Sequence, residues 1–409
     1  MKRVIWLLTE FRDLCLWPLV VMFPRNQKKV LVGAWSGRNF GCNPKYFFKY
    51  LLENSEYECI WVGQDHLKDA VLSVPHAKFV RQGSLAAFYH YLTARYFVCN
   101  INWRSDIIDL PIFRRAKLIN PFHGLPFKKI GEHQYAYLPV EAGGSRLRKW
   151  VRRQLRRWDA YCYPQESWLS VSSEHVGDLY ASAFPGRFSR KRCVIAGQPR
   201  NDFLINHKAD IAFCAALKDC LAKKLGVPAD KRWFLYLPTF RYDTDQVYSF
   251  VTSKRAAEFS HLLDAVNAII IEKQHPRVLQ RLHVPTEHVG NVYSISEGQG
   301  CLLDIQELLL VSDRLITDYS SCFFDFSLMD RPCVHFAYDW ETYRDKDTGV
   351  YYDLRDVAGG PVCSSEEELV GVLLSSDTEL MAQRGHRLKT LTVGERGLAS
   401  QILWNAARG

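Results

Sequence analysis

At 409 residues, 47% of them hydrophobic and 13% aromatic, the chain is too long for one ordinary core and too apolar to be disordered. Two domains of roughly 150 to 200 residues are therefore expected. The formal charge of +9, from 53 basic and 44 acidic side chains, is moderate and leaves nucleic acid, anionic lipid and phosphate-bearing substrates as partner classes.

The twelve cysteines are scattered from Cys15 to Cys363 without a C-x-x-C pair, which argues against a zinc ribbon and a disulfide scaffold. Buried free thiols in a reducing compartment are expected. The N-terminal stretch MKRVIWLLTEFRDLCLWPLVVMFPRNQKK begins like a membrane signal, but Glu10, Arg12 and Asp13 interrupt the apolar run and Pro18 follows. No uninterrupted run of about 20 apolar residues occurs, and no cleavage pattern follows. An interfacial or packed N-terminal helix is expected.

From residue 29 short β-rich runs alternate with helical ones. KVLVGAW, ECIWVG, AKFVRQG, YFVCNIN and AKLINPF read as strands, with helices such as PKYFFKYLLEN and SLAAFYHYLTARY between them. A second series follows in RCVIAGQ, RWFLYLP, AIIIEKQ, RLITDY and CVHFAYD, with DIQELLLVSDR as one intervening helix, and the stretch from about Glu366 to Arg408 reads as helical. The alternation predicts an α/β fold of two Rossmann-like domains facing across a cleft. The Pro, Gly and basic cluster AFPGRFSRKR at 183–192 divides the chain into 1–186 and 187–409.

Ligands of open α/β sheets bind beyond the carboxyl ends of the strands. In the second series RCVIA runs into Gly197-Gln198-Pro199-Arg200-Asn201-Asp202, and RWFLYL into Pro238-Thr239-Phe240-Arg241. AIIIEKQ runs into His275-Pro276, and RLI into Thr317-Asp318-Tyr319-Ser320-Ser321. Four such ends on one edge suggest a phosphorylated ligand. At the last of them, the amides of a helix N-terminus and the hydroxyls of Ser320 and Ser321 can receive a phosphate. The plainer reading of Ser320 is an N-cap. Arg241 can equally pair with Asp243, and Arg200 with Asp202.

In the first half, NPFHGLPFKKIGEH places His123 after a strand, with Gly124 and Pro126 shaping a tight turn and Lys128 and Lys129 close behind. A histidine at a strand end suits general-base work, because its pKa lies near the operating pH. The segment 146–158, RLRKWVRRQLRRW, carries seven basic residues. Its apolar Leu147, Trp150, Val151, Leu155 and Trp158 fall on one helical face. It reads as an element lying on an anionic membrane surface, or as a basic face packed on the core. Nucleic-acid binding is disfavoured because no recognised module surrounds it.

Together NPKYFFKYLL, FHGLPFKKIG, GQPRND, LPTFR, KQHP, LITDYSSCFFDF and RPCVHFAYDWETYRDKDTGVYYDL resemble the CDP-glycerol glycerophosphotransferase family, in family order from about residue 29 to 355. The resemblance implies a GT-B-like fold. It also implies an N-terminal acceptor-side domain, a C-terminal domain binding a CDP-polyol donor, and teichoic-acid-like or capsular polymer synthesis at the cytoplasmic face of the membrane. It further implies His123 as general base, His275 and Arg241 in the donor site, and Thr317, Asp318, Ser320 and Ser321 around the pyrophosphate. Lys128, Arg200, Asp202 and Thr239 complete the expected binding set. Leu125, Phe127 and Gln198 depart from the commoner family residues, which leaves the polyol open, and the length is nearer to members that add one unit.

The expected reaction is attack of an acceptor hydroxyl, on a lipid-linked saccharide or polyol-phosphate chain, at the β-phosphorus of CDP-glycerol with release of CMP. No cofactor beyond the donor substrate and no tightly bound metal is expected. The alternatives are a CDP-ribitol-dependent transferase, a GT-B glycosyltransferase using a nucleotide sugar, and a non-catalytic scaffold on the membrane surface.

Overall fold

The computed structural model describes residues 12–13, 15–16, 18, 20, 22–110, 116–135, 166–185, 187–239, 248–274, 288–295, 303–346 and 349–409. The basic segment 146–158, His275 and Arg241 lie outside the described residues. The chain forms two compact units, one of 1–123, 139–202 and 394–409, the other of 124–138 and 203–393.

Among the described residues the first unit holds seven parallel strands: β1 (Asn26–Val32), β2 (Glu58–Gly63), β3 (Lys78–Arg81), β4 (Ala94–Val98), β5 (Lys117–Asn120), β6 (Glu166–Val171) and β7 (Cys193–Ile195). Their order is β3-β2-β1-β4-β5-β6-β7. The second unit holds β8 (Arg232–Leu237), β9 (Ala268–Lys273), β10 (His288–Val289), β11 (Val292–Ile295), β12 (Arg314–Thr317), β13 (Cys333–Phe336) and β14 (Val362–Cys363). Their order is β10-β11-β9-β8-β12-β13-β14, parallel except for the β10–β11 pair. In each sheet the winding reverses once, between β1 and β4 and between β8 and β12, the strand order of a Rossmann-like domain. The continuous apolar runs follow from burial on both faces, as in Val30–Val32 and the wholly buried β9.

RCVIAGQ opens no second domain. Cys193, Val194 and Ile195 pair in parallel with Leu169, Ser170 and Val171. The change of unit therefore falls at Asp202, past the Pro- and Gly-rich cluster at 183–192. The chain also returns, because the last helix, Ala399–Arg408, belongs to the first unit. Its buried Trp404 meets Phe47, Tyr57 and Tyr96 at ring separations of 6.3, 4.8 and 5.0 Å, and Lys117 donates to the Ala407 carbonyl. The terminal helices of the chain are thus divided between the two units.

Ten described cysteines are free thiols, six of them buried. Among the described residues no helix is long and apolar enough to cross a membrane.

The carboxylate of Asp202 accepts from the amides of Ala399 and Ser400 at 2.7 and 2.8 Å, at the start of the last helix. It serves as a helix cap supplied from elsewhere in the chain and is not paired with Arg200. Asp202→Ala is expected to lower stability by about 1–2 kcal/mol. Hydrogen exchange should accelerate first in Ala399–Arg408.

Candidate active site

In the first unit the side chains gather where the strands end. His123 follows β5 in a turn held by Phe122, whose left-handed φ of 55° is stabilised by its amide donating to Asn120 Oδ1 at 2.8 Å. The partly buried imidazole stacks on Phe122 at 4.3 Å and lies 5.5 Å from the ring of Trp35. Its Nδ1 is 3.3 Å from the carbonyl of Asn100. A carbonyl only accepts, so the proton sits on Nδ1 and Nε2 keeps its lone pair. Desolvation, reinforced by the charge of Arg200 and opposed by the Asn100 bond, pushes the His123 pKa down to about 4. The imidazole is consequently neutral at pH 7, the state a general base requires.

Arg200, 8% exposed, donates from Nη1 to the His123 carbonyl at 2.8 Å and to Cys42 Sγ at 3.3 Å. The residue that joins these loops is Asn43. Its side-chain amide donates to the carbonyls of Pro121 and Phe122 and to Gln198 Oε1, while its Oδ1 accepts from the Arg200 amide. Gln198 is in turn held by Glu395, and Gly197 (φ 86°) cannot carry a side chain there, because a Cβ would lie 2.5 Å from Glu395 Oε2. Gln198 therefore sits in a buried hydrogen-bond network.

At the reversal between β1 and β4, Asp106 collects the amides of Ser36, Asn100, Ile101 and Asn102 at 2.9 to 3.3 Å. Burial raises its pKa, and these amides oppose the rise. The sequence reading missed Asn43, Asn100 and Asp106. Asn100 lies just past the end of β4, where the test applied to the second series would have found it, and Asp106 closes the short helix Trp103–Asp106 that follows.

In the second unit Asp318 does the same work at the reversal between β8 and β12. Its fully buried carboxylate accepts from the amide and hydroxyl of Thr239 at 2.7 to 3.0 Å and from the amides of Tyr319 and Ser320. Asp318 is therefore turned into the fold and would not oppose a phosphate by contact. It also takes two of the amides that an anion would otherwise use. Thr317 is buried as well, its hydroxyl donating to the Leu237 carbonyl at 2.6 Å. Partly exposed at this end are Thr239, Ser320 and Ser321.

His335 closes the arrangement from below. Its Nδ1–H donates to the Asp318 carbonyl at 2.8 Å and its Nε2 accepts from the Gly359 amide at 3.0 Å. Burial pushes its pKa down to about 4. Of the four strand ends expected on one edge, two therefore meet as neighbours, GQPRND belongs to the other sheet, and His275 is outside the described residues.

Lys128 belongs to the second unit. It forms a single antiparallel bridge with Val350 and holds its ammonium 4.6 Å from the Tyr343 ring centroid. Phe127 packs against Phe323 and Trp340, and Leu125 is 4% exposed, so both side chains fill the core.

Two Rossmann-like domains, one carrying a neutral histidine and the other a hydroxyl-lined strand end, describe a GT-B-like transferase. The chain belongs to the CDP-glycerol:poly(glycerophosphate) glycerophosphotransferase family, which matches residues 16–392. It is 30% identical over 366 residues to a teichoic acid poly(glycerol phosphate) polymerase of Bacillus spizizenii, covering 86% of this chain and 84% of that one. It is 26% identical to a teichoic acid glycerol-phosphate transferase of Staphylococcus aureus, covering 86% and 85%. The fold matches the wall teichoic acid polymerase TagF with a TM-score of 0.73 at 24% identity, over 94% of this chain and 89% of that one.

Two consequences are measurable. Asp318→Asn places an NH2 against backbone amides and is expected to cost about 3 kcal/mol in chemical denaturation. The His123 ring signals should not titrate between pH 8 and 5.5, whereas an ordinary imidazole with a pKa of about 6.5 would be mostly protonated at the lower end. Because the unfolded chain takes up this proton first, His123 contributes stability above about pH 6.5 that erodes as the pH falls toward 4.

Proposed function

We propose that the chain transfers glycerol phosphate from CDP-glycerol to a hydroxyl of a lipid-linked saccharide or polyol-phosphate chain, in teichoic-acid-like or capsular polymer synthesis. The observation that carries this reading is His123, neutral and with Nε2 left as a proton acceptor by the Asn100 bond. In the reaction Nε2 takes the proton of the acceptor hydroxyl. The oxygen forms a bond to the β-phosphorus as the bond from that phosphorus to the bridging oxygen breaks, and CMP departs with the electron pair. Rate enhancement in such transfers comes mainly from positioning and charge neutralisation.

Thr239, Ser320 and Ser321 are the hydroxyls proposed to meet the diphosphate, with Lys128, Arg241 and His275 supplying positive charge. Arg200 acts as a positioning residue through the His123 carbonyl. Thr317, Asp318 and Asp202 serve by holding loops in place. No cofactor beyond the donor enters this scheme. The basic segment 146–158 is proposed to rest on the anionic cytoplasmic face of the membrane, where a lipid-linked acceptor would be presented.

The test is nucleotide release from CDP-glycerol, CDP-ribitol and UDP-sugars in the presence of a lipid-linked acceptor. CMP release with CDP-glycerol is expected, and UDP release alone would sink the reading. His123→Ala should lower kcat by about 10²- to 10⁴-fold with the circular dichroism spectrum unchanged. Unaltered product formation would remove the proposed base.

A further inference from the structure

Trp35 lies beside His123 in a conformation the chain adopts at a cost. Trp35, Ser36 and Gly37 follow β1 with φ values of 50°, 57° and 71°. For the two residues that are not glycine, the left-handed region costs roughly 1–2 kcal/mol each. The strain is held by specific partners: the Trp35 amide donates to Asn100 Oδ1 at 3.1 Å and the Ser36 amide to Asp106 Oδ1 at 2.9 Å. Gln64 donates to the Gly37 carbonyl at 2.8 Å, which fixes the far side of the turn. Asn100 thus holds both residues, the Trp35 backbone amide through its side-chain oxygen and the imidazole through its carbonyl.

Core packing does not account for this expense. Trp61, Trp103, Trp233 and Trp404 are each at most 2% exposed, whereas Trp35 remains partly exposed with its ring centroid 5.5 Å from that of His123. An indole next to a base offers a flat apolar face with a polar edge, suited to the C–H face of a pyranose whose hydroxyls point elsewhere. A glycerol phosphate chain is flexible, charged and without such a face.

We propose that Trp35 is the acceptor platform and that the acceptor it selects is a saccharide ring. The indole takes the ring's C–H face and directs one hydroxyl to His123 Nε2. The proposal rests on His123 being the general base of the proposed transfer and deepens it by naming the acceptor class and the residue that reads it.

The kinetic test uses saturating CDP-glycerol and two acceptors, an alkyl-diphosphate-linked disaccharide and a glycerol phosphate oligomer. Trp35→Leu should raise the disaccharide KM by roughly tenfold or more, with kcat within about threefold and the CDP-glycerol KM unchanged. Trp35→Phe should recover most of the loss, and the oligomer KM should move less than about twofold. A fall in kcat at unchanged disaccharide KM would mean that Trp35 merely packs against His123, and it would overturn the proposal. An equal change for both acceptors would overturn the selectivity.

Wild-type protein labelled with 5-fluorotryptophan, its Trp35 resonance identified by Trp35→Phe, gives a readout independent of turnover. The disaccharide should shift that resonance, and an unmoved signal at saturating disaccharide would also overturn the platform. If wild-type protein releases no CMP, the functional reading fails, and the fluorine titration still decides the role of Trp35.

Discussion

A buried carboxylate that gathers backbone amides from two strand ends is the interaction on which both units depend. Where a parallel sheet reverses its winding, the loops leaving the two central strands diverge, and their amides lose the partners a ladder would provide. One ionised carboxylate offers about four acceptor positions and forms charge-assisted bonds with each donor. Asp106 fills this place between β1 and β4, and Asp318 fills it between β8 and β12. Desolvating the charge is costly, so the arrangement is stable only when the set of donors is complete.

These clamps determine what each surface can present. In the second unit the negative charge is directed inward and the hydroxyls of Ser320 and Ser321 remain partly exposed, so the strand end is compatible with an anion despite the aspartate in its sequence. In the first unit the clamp and Asn100 together hold the turn at Trp35, and the Asn100 carbonyl sets the tautomer of His123. The rigidity around the imidazole therefore originates in residues 17 to 23 positions earlier in the chain.

Much of the α/β alternation was legible, because β-branched and aromatic runs such as ECIWVG and AIIIEK can be buried on both faces only in a parallel sheet. Less legible were β6, which carries two serines among its apolar residues, and the two-residue edge strands β10 and β14. The boundary was misplaced because a Pro- and Gly-rich cluster marks a turn and says nothing about which sheet the next strand joins. His123 was recognisable from its position after a strand. Asn43 was not: an Asn-Pro at the start of a helix has the appearance of a local cap, while its side chain serves loops about 80 and 155 residues away. Asp202 and Asp318 show the complementary problem, since an acid beside a loop reads the same whether it faces a ligand or the amides behind it.

The return of Ala399–Arg408 to the first unit has a consequence for biosynthesis. Chains emerge from the ribosome from the N-terminus at roughly 5–20 residues per second, and domains generally fold as they appear. Here the first unit to be translated lacks the helix that covers Phe47, Tyr57 and Tyr96 until Ala399–Arg408 has emerged. The second unit, 124–138 and 203–393, is meanwhile complete in sequence. The order of synthesis and the order of completion are thus reversed. During translation the exposed aromatic face of the earlier unit, not the later one, is the surface that chaperones would have most reason to shield.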